Sequence, residues 1–254
     1  MPQFWKPYSH RAVVIRRFLP DVDLTHKVVD GIRIKASLKK HLYLSRPGRI
    51  KREADIALKL AALVDENGVI YDLGANIGLY SLVFASNRKR TVHAFEPFAE
   101  ALFGLRRNIE MNQLGNIHVH PIVLTDHSGV CRFTTDGITA TTSHISAANE
   151  GGREFPCTDL DSYIEKMQLA PPDLVKLDIE GSEQLIFDGM QKVLRQKRPY
   201  VFLEGGVREG GLDDFTGRIV AIDYLKGLGY SIFNLDQTEM LDALTQEYMF
   251  LAVP

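Results

Sequence analysis

The chain has 254 residues, of which 45% are hydrophobic and 24% charged, and this composition excludes a wholly disordered protein. The sequence contains no run of 18 apolar residues, so we expect no membrane-spanning helix. Two cysteines, Cys131 and Cys157, are too few for a disulfide framework and lack the CxxC spacing of a zinc site. We interpret them as free thiols in a reducing, cytoplasmic compartment, with a single disulfide as the alternative.

The net charge of −2 hides a strongly basic N-terminal segment. Residues 1–52 hold 13 Lys and Arg against 3 Asp and Glu, whereas residues 53–254 hold 17 against 29. One interpretation is a solvated arm that packs on an acidic body. The other is a patch for an anionic partner, such as a phosphorylated substrate, a nucleic acid or a lipid headgroup at a membrane surface. A nucleic acid is disfavoured, because the nearby aromatic residues lack the interleaved pattern of a base-stacking surface.

The predicted elements begin in this segment with a weak strand-like alternation over Val28–Leu38, followed by a turn at Pro47-Gly48. A helix is predicted over Lys51–Val64, and Asn67-Gly68 ends it. We therefore divide the chain into an accessory segment, residues 1–50, and a domain, residues 51–254.

Apolar strands alternate with helices from residue 69 onwards. The predicted strands are Val69–Leu73, Thr91–Phe95, Ile117–Leu124, Leu174–Leu177, Tyr200–Leu203, Tyr230–Leu235 and Tyr248–Val253, and the predicted helices are Leu79–Ser86, Phe98–Asn112, Glu183–Arg195 and Arg218–Leu228. This alternation predicts an α/β fold with a mostly parallel sheet and helices on both faces. The last two strands lack an intervening helix, so we expect an antiparallel hairpin at one side. The stretch Thr134–Phe155 is predicted to be an irregular loop.

The strongest chemical signal is the run Asp72-x-Gly74-x-Asn76-x-Gly78, which follows directly on the strand Val69–Leu73. Ligands of open α/β sheets bind beyond the carboxyl ends of the strands, beside such a turn. The glycines let the backbone approach a ligand closely, and Asp72 is expected to face a cationic or hydroxyl-bearing group. A dinucleotide fingerprint would require G-x-G-x-x-G, and Asp72 would repel a pyrophosphate. A nicotinamide cofactor is therefore disfavoured.

Glu96 ends the next strand, 24 residues after Asp72, and Pro97 follows it. A carboxylate at this position can accept hydrogen bonds from both hydroxyls of a ribose. The alternative is an exposed carboxylate without a role, but the glycine turn at this spacing favours ribose binding.

These residues resemble class I S-adenosylmethionine-dependent methyltransferases and, more closely, the FkbM family. The matching motifs, within about residues 51–204, are Asp72-Leu-Gly-Ala-Asn-Ile-Gly78, Phe95-Glu-Pro97, Asn108 with Asn112, Asp126 with Gly129, Thr158 with Leu160-Asp161, and Lys176-Leu-Asp-Ile-Glu-Gly-Ser-Glu183. The resemblance implies a Rossmann-like sheet of seven strands with an antiparallel last strand, bound S-adenosylmethionine and usually O-methylation. The expected cofactor-binding residues are Asp72, Gly74, Ala75, Asn76, Gly78, Glu96, Pro97, Leu124 and Asp178.

Further carboxylates follow two later strands. Asp178 and Glu180 come after Leu174–Leu177, and Glu204 ends the next strand. Because parallel neighbours end at the same edge of a sheet, we expect these carboxylates near the glycine turn, where they orient the acceptor or act as general base. Two alternatives are oxygen ligands of a divalent metal and caps of the following helix. His144, within the irregular stretch, is either a further candidate base or a solvated loop residue.

The sequence therefore predicts an S-adenosylmethionine-dependent methyltransferase that methylates a hydroxyl on a sugar, a lipid-linked molecule or a secondary metabolite. Two alternatives stay open, namely N-methylation on the same scaffold and a cofactor-binding module without turnover. The expected partner is a small-molecule acceptor, anionic if the basic segment takes part in binding. No metal ligand is assigned, although a divalent metal at the carboxylates is compatible with the sequence.

Overall fold

The computed structural model describes residues 19–134, 144–145, 153–178, 183–204, 222–235 and 249–254. Its strands are β1 (Asp23–Val29), β2 (Ile32–Ser37), β3 (Val69–Leu73), β4 (Thr91–Phe95), β5 (Ile117–His120), β6 (Val123–Leu124), β7 (Gly129–Thr134), β8 (His144–Ile145), β9 (Arg153–Thr158), β10 (Leu174–Leu177), β11 (Tyr200–Glu204), β12 (Ser231–Phe233) and β13 (Met249–Val253). Its helices are α1 (Arg49–Ala61), α2 (Leu79–Phe84), α3 (Ala99–Met111), α4 (Leu160–Met167), α5 (Glu183–Asp188) and α6 (222–227).

A seven-stranded sheet forms the centre, with the strand order β12-β13-β11-β10-β3-β4-β5. The pairings from β11 to β5 are parallel, and β13 runs antiparallel to both of its neighbours. This topology confirms the predicted mostly parallel sheet with an antiparallel last strand. It also brings the carboxyl ends of β3, β4, β10 and β11 to one edge, where ligands of such sheets bind.

The two faces of the sheet carry separate hydrophobic cores. Ile70 and Leu174 lie in the core that contains residues of α1 and α2. Their neighbours Tyr71 and Val175 lie in the core that contains residues of α5. Since successive side chains of a strand point to opposite faces, each strand contributes alternate residues to the two cores. We refer to these sides as the α1–α2 face and the α5 face.

The β1–β2 hairpin packs on α3 through two asparagine side chains. Oδ1 of Asn108 accepts from the N–H of Lys35, and Oδ1 of Asn112 accepts from the N–H of Arg33, both at 2.8 Å. Ile34, between these two residues, is fully buried in the core of the α1–α2 face. The described part of the basic segment is therefore joined to the rest of the chain, and the division at residue 50 stays a prediction.

A second sheet of four strands has the order β6-β9-β7-β8 and corrects two predictions. The predicted strand Ile117–Leu124 is two strands in different sheets. Pro121 has no N–H to continue the ladder, and the N–H of Ile122 donates to the carbonyl oxygen of His120 (3.0 Å). The stretch Thr134–Phe155, predicted to be irregular, contains β8 and the beginning of β9.

The predicted helix Glu183–Arg195 is also divided. It is interrupted after α5 by Gly189, which packs so closely on the backbone of Thr125 that a side chain would collide there. A π-helical turn, Val193–Lys197, follows. Of the helix predicted over Arg218–Leu228, residues 222–228 are described, and 222–227 of these are helical. In the described ranges, no helix has the length and apolar character needed to cross a membrane.

Candidate cofactor site and active site

The turn after β3 is held against the end of β4 by backbone hydrogen bonds. The N–H groups of Gly74 and Ala75 donate to the carbonyl oxygen of Phe95, at 3.1 and 3.0 Å. Gly74 has a φ of 80°, a left-handed conformation that side chains disfavour. Ala75 is 5% exposed and belongs to the core of the α1–α2 face. The ends of β3 and β4 are thus fixed relative to each other at the ligand-binding edge.

Asn76 and Gly78 lead the turn into α2. Their φ angles are 51° and 95°, both in the left-handed region. A Cβ on Gly78 would also lie 2.5 Å from Cδ1 of Leu105 on α3. Backbone conformation and packing together therefore require glycine at the start of α2.

Glu96 connects the turn to the segment that follows β4. Its Oε2 accepts from the N–H of Asn76 (2.8 Å), and its Oε1 accepts from the N–H of Phe98 (2.9 Å). Glu96 is 5% exposed, and this burial raises the pKa of its carboxyl to about 7, although the two backbone donors act in the opposite direction. Each carboxylate oxygen retains a second acceptor position. Ribose hydroxyls fit this arrangement, and a contact between them and Glu96 stays a prediction.

Asp72 is placed differently from the expectation. The motif predicts a carboxylate that faces the ligand, but Asp72 is fully buried. Its Oδ2 accepts from the hydroxyl of Ser81 (2.5 Å), and its Oδ1 lies 3.1 Å from Nζ of Lys176. A buried carboxylate needs such partners to compensate for its lost hydration, so Asp72 supports the turn from beneath. A direct contact of Asp72 with a cofactor stays a prediction that this geometry does not favour.

Lys176, in β10, has a function that the sequence analysis did not assign. It is 2% exposed, and its Nζ donates to the carbonyl oxygen of Gly74 (3.0 Å). The same Nζ contacts Asp72 and lies 3.6 Å from Oδ2 of Asp178. The clue in the sequence is a single lysine inside an apolar strand that is buried along its whole length. A buried ammonium group is costly without partners, and the Gly74 carbonyl and the two carboxylates supply them here. Lys176 thereby links the turn to Asp72 and Asp178.

Polar contacts continue from Lys176 towards α1. Nζ of Lys176 lies 5.1 Å from the centroid of the Tyr80 ring, within the range of a cation–π interaction. The hydroxyl of Tyr80 donates to Oε2 of Glu53 (2.7 Å), and Nε of Arg49 lies 2.8 Å from Oε1 of the same side chain. Glu53 is 3% exposed. A line of charged and polar groups therefore connects the turn with the beginning of α1.

Asp178 and Glu204 follow paired residues of neighbouring strands. Leu177 of β10 pairs with Leu203 of β11, so the next residue of each strand reaches the edge that carries the glycine turn. The N–H of Asp178 donates to the carbonyl oxygen of Leu73 (3.1 Å), directly before that turn. The Asp178 side chain is 39% exposed. It is therefore a carboxylate beside the turn that a ligand can reach.

The remaining candidates for the active site are described in part. Glu180 lies outside the described residues, as do the side chains of Glu204 and His144. The backbone of His144 lies in β8, opposite Thr134 of β7. The active-site roles of these three residues stay predictions. Within the parts of the chain that the structure describes, no group of three or more His, Cys, Asp or Glu side chains is placed to hold a metal ion.

Two further residues with a predicted cofactor contact lie beyond the ends of β4 and β5. Pro97 follows Glu96 and is half-buried. Leu124 lies in β6, is 5% exposed and packs in the core of the α5 face. Contacts of both residues with a cofactor stay predictions.

The α5 face buries polar groups of a different kind. Nδ1 of His93 lies 2.9 Å from Nε2 of His120, and Nδ1 of His120 lies 3.1 Å from the hydroxyl of Tyr163. Burial lowers the pKa of both histidines to about 4. Both rings are thus neutral at pH 7 and form a hydrogen-bonded chain with Tyr163.

Comparison with known proteins decides the family. The profile of the methyltransferase FkbM domain matches residues 72–232. The chain belongs to the FkbM methyltransferase family. The matched range begins at the buried Asp72 and includes both Glu96 and Asp178, so it covers the edge of the sheet described above.

Two methyltransferases are similar to part of the chain. The hexuronic acid methyltransferase AglP of Haloferax volcanii is 27% identical over 146 residues, which are 58% of this chain and 59% of that protein. The 31-O-demethyl-FK506 methyltransferase FkbM of Streptomyces tacrolimicus is 26% identical over 196 residues, 65% of this chain and 73% of that protein. Among solved structures, methyltransferase FkbM from Methylobacillus flagellatus KT is 18% identical with a TM-score of 0.46, and the match covers 74% of this chain and 44% of that one.

Proposed function

We propose that the protein transfers a methyl group from S-adenosylmethionine to a hydroxyl of a sugar, a lipid-linked molecule or a secondary metabolite. The observation that carries this proposal is the buried Glu96 carboxylate. Its Oε2 accepts a hydrogen bond of 2.8 Å from the N–H of Asn76, which lies in the glycine turn. The names of the two relatives, one a hexuronic acid methyltransferase and the other a 31-O-demethyl-FK506 methyltransferase, support an acceptor with hydroxyl groups.

The described residues fit S-adenosylmethionine. Its ribose hydroxyls can donate to the second acceptor positions of Glu96, and its positive charge is favoured beside the partly exposed carboxylate of Asp178. We expect the turn from Gly74 to Gly78 to contact the cofactor through its backbone, as glycine-rich turns at this edge do. When bound, S-adenosylmethionine supplies a methyl group that its sulfonium centre activates for transfer.

The chain itself must position the acceptor and remove a proton. As the acceptor oxygen forms its bond to the methyl carbon, the bond from that carbon to sulfur breaks and the hydroxyl proton leaves. We assign the removal of this proton to a carboxylate at the ends of β10 and β11, with Asp178 first, then Glu180 and Glu204, and with His144 as a further candidate. A well-placed base contributes about 10²–10⁴-fold to the rate. Positioning contributes on the order of 7–11 kcal/mol.

The test is turnover of S-adenosylmethionine with a panel of sugars and secondary-metabolite alcohols, each paired with its deoxy analogue. We expect methylation only where the hydroxyl is present, and a loss of roughly 10²-fold or more in Asp178→Asn or Glu180→Gln. Cofactor affinity is measured in parallel, and the exposed Glu110→Gln on α3 serves as a control. Full activity in Asp178→Asn, Glu180→Gln and Glu204→Gln alike would refute the assignment of the base.

Adding a chelator to the turnover assay distinguishes the two possible roles of the carboxylates, as general base and orienting groups or as metal ligands. If they act as base and orienting groups, turnover is unchanged by chelation. Loss of turnover with recovery on addition of Mg²⁺ would instead assign them to a metal. A cytoplasmic location and a peripheral contact of the basic segment with membranes stay predictions.

A further inference from the structure

Phe155, in β9 of the second sheet, packs against the residue that donates to Oε1 of Glu96. The rings of Phe98 and Phe155 meet edge to face, with centroids 5.2 Å apart and an interplanar angle of 76°. Both side chains are half-buried, and both pack on a small apolar cluster with members from β6, β7 and β9. This contact joins the second sheet to the segment that follows β4.

Phe98 lies where the extended chain after β4 turns into α3. It occupies the N-cap of that helix, a position at which a polar side chain is preferred because it can bond to the first turn. A phenylalanine ring cannot make such a bond, so the position of Phe98 depends on how its ring is packed. Its N–H donates to Oε1 of Glu96 at 2.9 Å, so the packing of the ring also affects this carboxylate.

The backbone of Phe155 is itself fixed by its neighbours. In the register of β7 with β9, Phe155 lies opposite Cys131, whose thiol donates to the Phe155 carbonyl oxygen at 3.8 Å. β9 also pairs with β6, and beyond this pairing the N–H of Thr125 donates to the carbonyl oxygen of Thr158 at 3.0 Å. Phe155 therefore packs on Phe98 from a strand that is bonded on both sides.

The ionisation of Glu96 responds to the Phe98 N–H. Burial raises the pKa of the Glu96 carboxyl to about 7, and the N–H groups of Phe98 and Asn76 act in the opposite direction. Lys176 of β10 also lowers this pKa, whereas Asp72 of β3 raises it. Since a donor favours the ionised form of a carboxylate, a weaker contact with Phe98 would raise the pKa of Glu96 further.

We propose that Phe155 is a positioning residue of the cofactor site, which keeps the Phe98 N–H on Oε1 of Glu96 and thereby orients this carboxylate for the ribose hydroxyls. The inference rests on the proposed function. Phe155 acts through Phe98 and Glu96 rather than by contact with the cofactor. The second sheet thus takes part in cofactor binding, although it lies outside the central sheet.

The experiment is a double-mutant cycle on the full chain, in which Phe155→Ala is combined with Glu96→Ala. The affinity for S-adenosylhomocysteine is measured by calorimetry at pH 6, 7 and 8, and urea unfolding checks that each variant is folded. Phe155→Leu keeps an apolar side chain at this position. Phe103→Ala, which removes a phenylalanine that is 71% exposed on α3, is the matched control.

We expect Phe155→Ala to weaken binding at pH 7 by at least about threefold, as is typical of residues coupled in one network. In the Glu96→Ala background the same change should have little further effect, because no carboxylate is left to position. The rise of the affinity with pH should move to a higher pH in Phe155→Ala, since the ionised Glu96 loses support. Phe155→Leu should lose less affinity than Phe155→Ala, and Phe103→Ala should match the native protein.

Equal losses from Phe155→Ala with and without the Glu96 carboxylate would overturn the inference, because Phe155 would then act by direct contact or through the fold alone. An unshifted pH dependence, or equal effects of Phe155→Ala and Phe103→Ala, would overturn it as well. If Phe155→Ala does not fold, Phe155→Leu takes its place in the cycle. Its loss of affinity must then vanish in the Glu96→Ala background for the inference to stand.

Failure of this inference is distinguishable from failure of the proposed function. If the native protein binds S-adenosylhomocysteine and Phe155→Ala behaves like Phe103→Ala, the positioning role is wrong while the proposed function stands. If the native protein does not bind S-adenosylhomocysteine, the proposed function is wrong and the inference falls with it.

Discussion

The two faces of the central sheet bury polar side chains in opposite ways. On the α1–α2 face, Asp72 and Lys176 form a charged pair that also holds the carbonyl of Gly74. On the α5 face, His93 and His120 are kept neutral in a hydrogen-bonded chain. The difference indicates that buried charge is retained where it fixes the turn at the cofactor edge. On the other face, packing and neutral hydrogen bonds suffice.

The largest effect is expected on the charged face, from Lys176→Met. This change removes the ammonium group beside the buried Asp72 carboxylate and leaves its hydrogen bond from the Ser81 hydroxyl. Loss of one member of a buried charged pair costs about 3–5 kcal/mol. The free energy of unfolding in urea measures the loss. The cofactor affinity should fall as well, because the carbonyl of Gly74 loses its donor.

The control for Lys176→Met is Lys192→Met, which removes an exposed lysine paired with Glu165. Exposed ion pairs contribute little to stability, so this variant should stay close to the native protein. Equal losses in the two variants would contradict the idea that Lys176 stabilises a buried carboxylate. In the double variant Asp72→Asn/Lys176→Met, part of the loss should be recovered, since no unpaired charge remains.

A smaller effect is expected on the neutral face, from acid. The pKa of His93 and of His120 is lowered from 6.5 to about 4, so the unfolded chain binds more protons than the folded chain between these pH values. Stability should therefore fall as the pH drops below about 6.5, by up to about 1.4 kcal/mol per pH unit for each histidine. The measurement is the free energy of unfolding between pH 6.5 and pH 5.

His93→Asn tests this assignment, because asparagine keeps a nitrogen near the position of Nδ1 but does not titrate. The variant should lower the slope by the contribution of one histidine, up to about 1.4 kcal/mol per pH unit. His41, whose pKa burial also lowers to about 4, keeps its own contribution in the variant. Glu96, whose raised pKa acts in the opposite direction, is present in all of these proteins and cancels in the differences. An unchanged slope in His93→Asn would show that the pair does not govern the acid sensitivity.

Much of the fold was predictable because the strands of a doubly covered sheet are continuous apolar runs. β3, β4 and β10 have the predicted bounds, and the antiparallel position of β13 agrees with the expectation from a sequence that predicts no helix before it. The small second sheet was not predicted. β8 has two residues, and the break at Pro121 lies between two short strands, so periodicity over such short stretches could not separate them.

The sequence predicted which residues lie at the edge of the sheet, because the backbone determines these positions. It predicted less well the directions in which their side chains point. Spacing placed Gly74, Gly78 and Glu96 at one edge, because the strand ends determine their positions. The same spacing could not show that Asp72 points beneath the turn, nor that Lys176 is its partner from a strand distant in sequence. Such pairs arise from the register of β3 with β10, which pairs Asp72 with Lys176 and which local patterns do not contain.

The most direct test of the cofactor site is calorimetric titration of S-adenosylhomocysteine and NAD into the native protein and Glu96→Ala, at pH 6 and pH 8. Hydroxyl donors favour the ionised carboxylate, so the native affinity should rise as the pH passes through about 7. Glu96→Ala should weaken binding at least tenfold at pH 8, since each hydrogen bond to a charged group is worth about 1.5–3 kcal/mol, and should remove the rise. NAD should not bind. Unchanged affinity in Glu96→Ala, or tighter binding of NAD than of S-adenosylhomocysteine, would contradict the account.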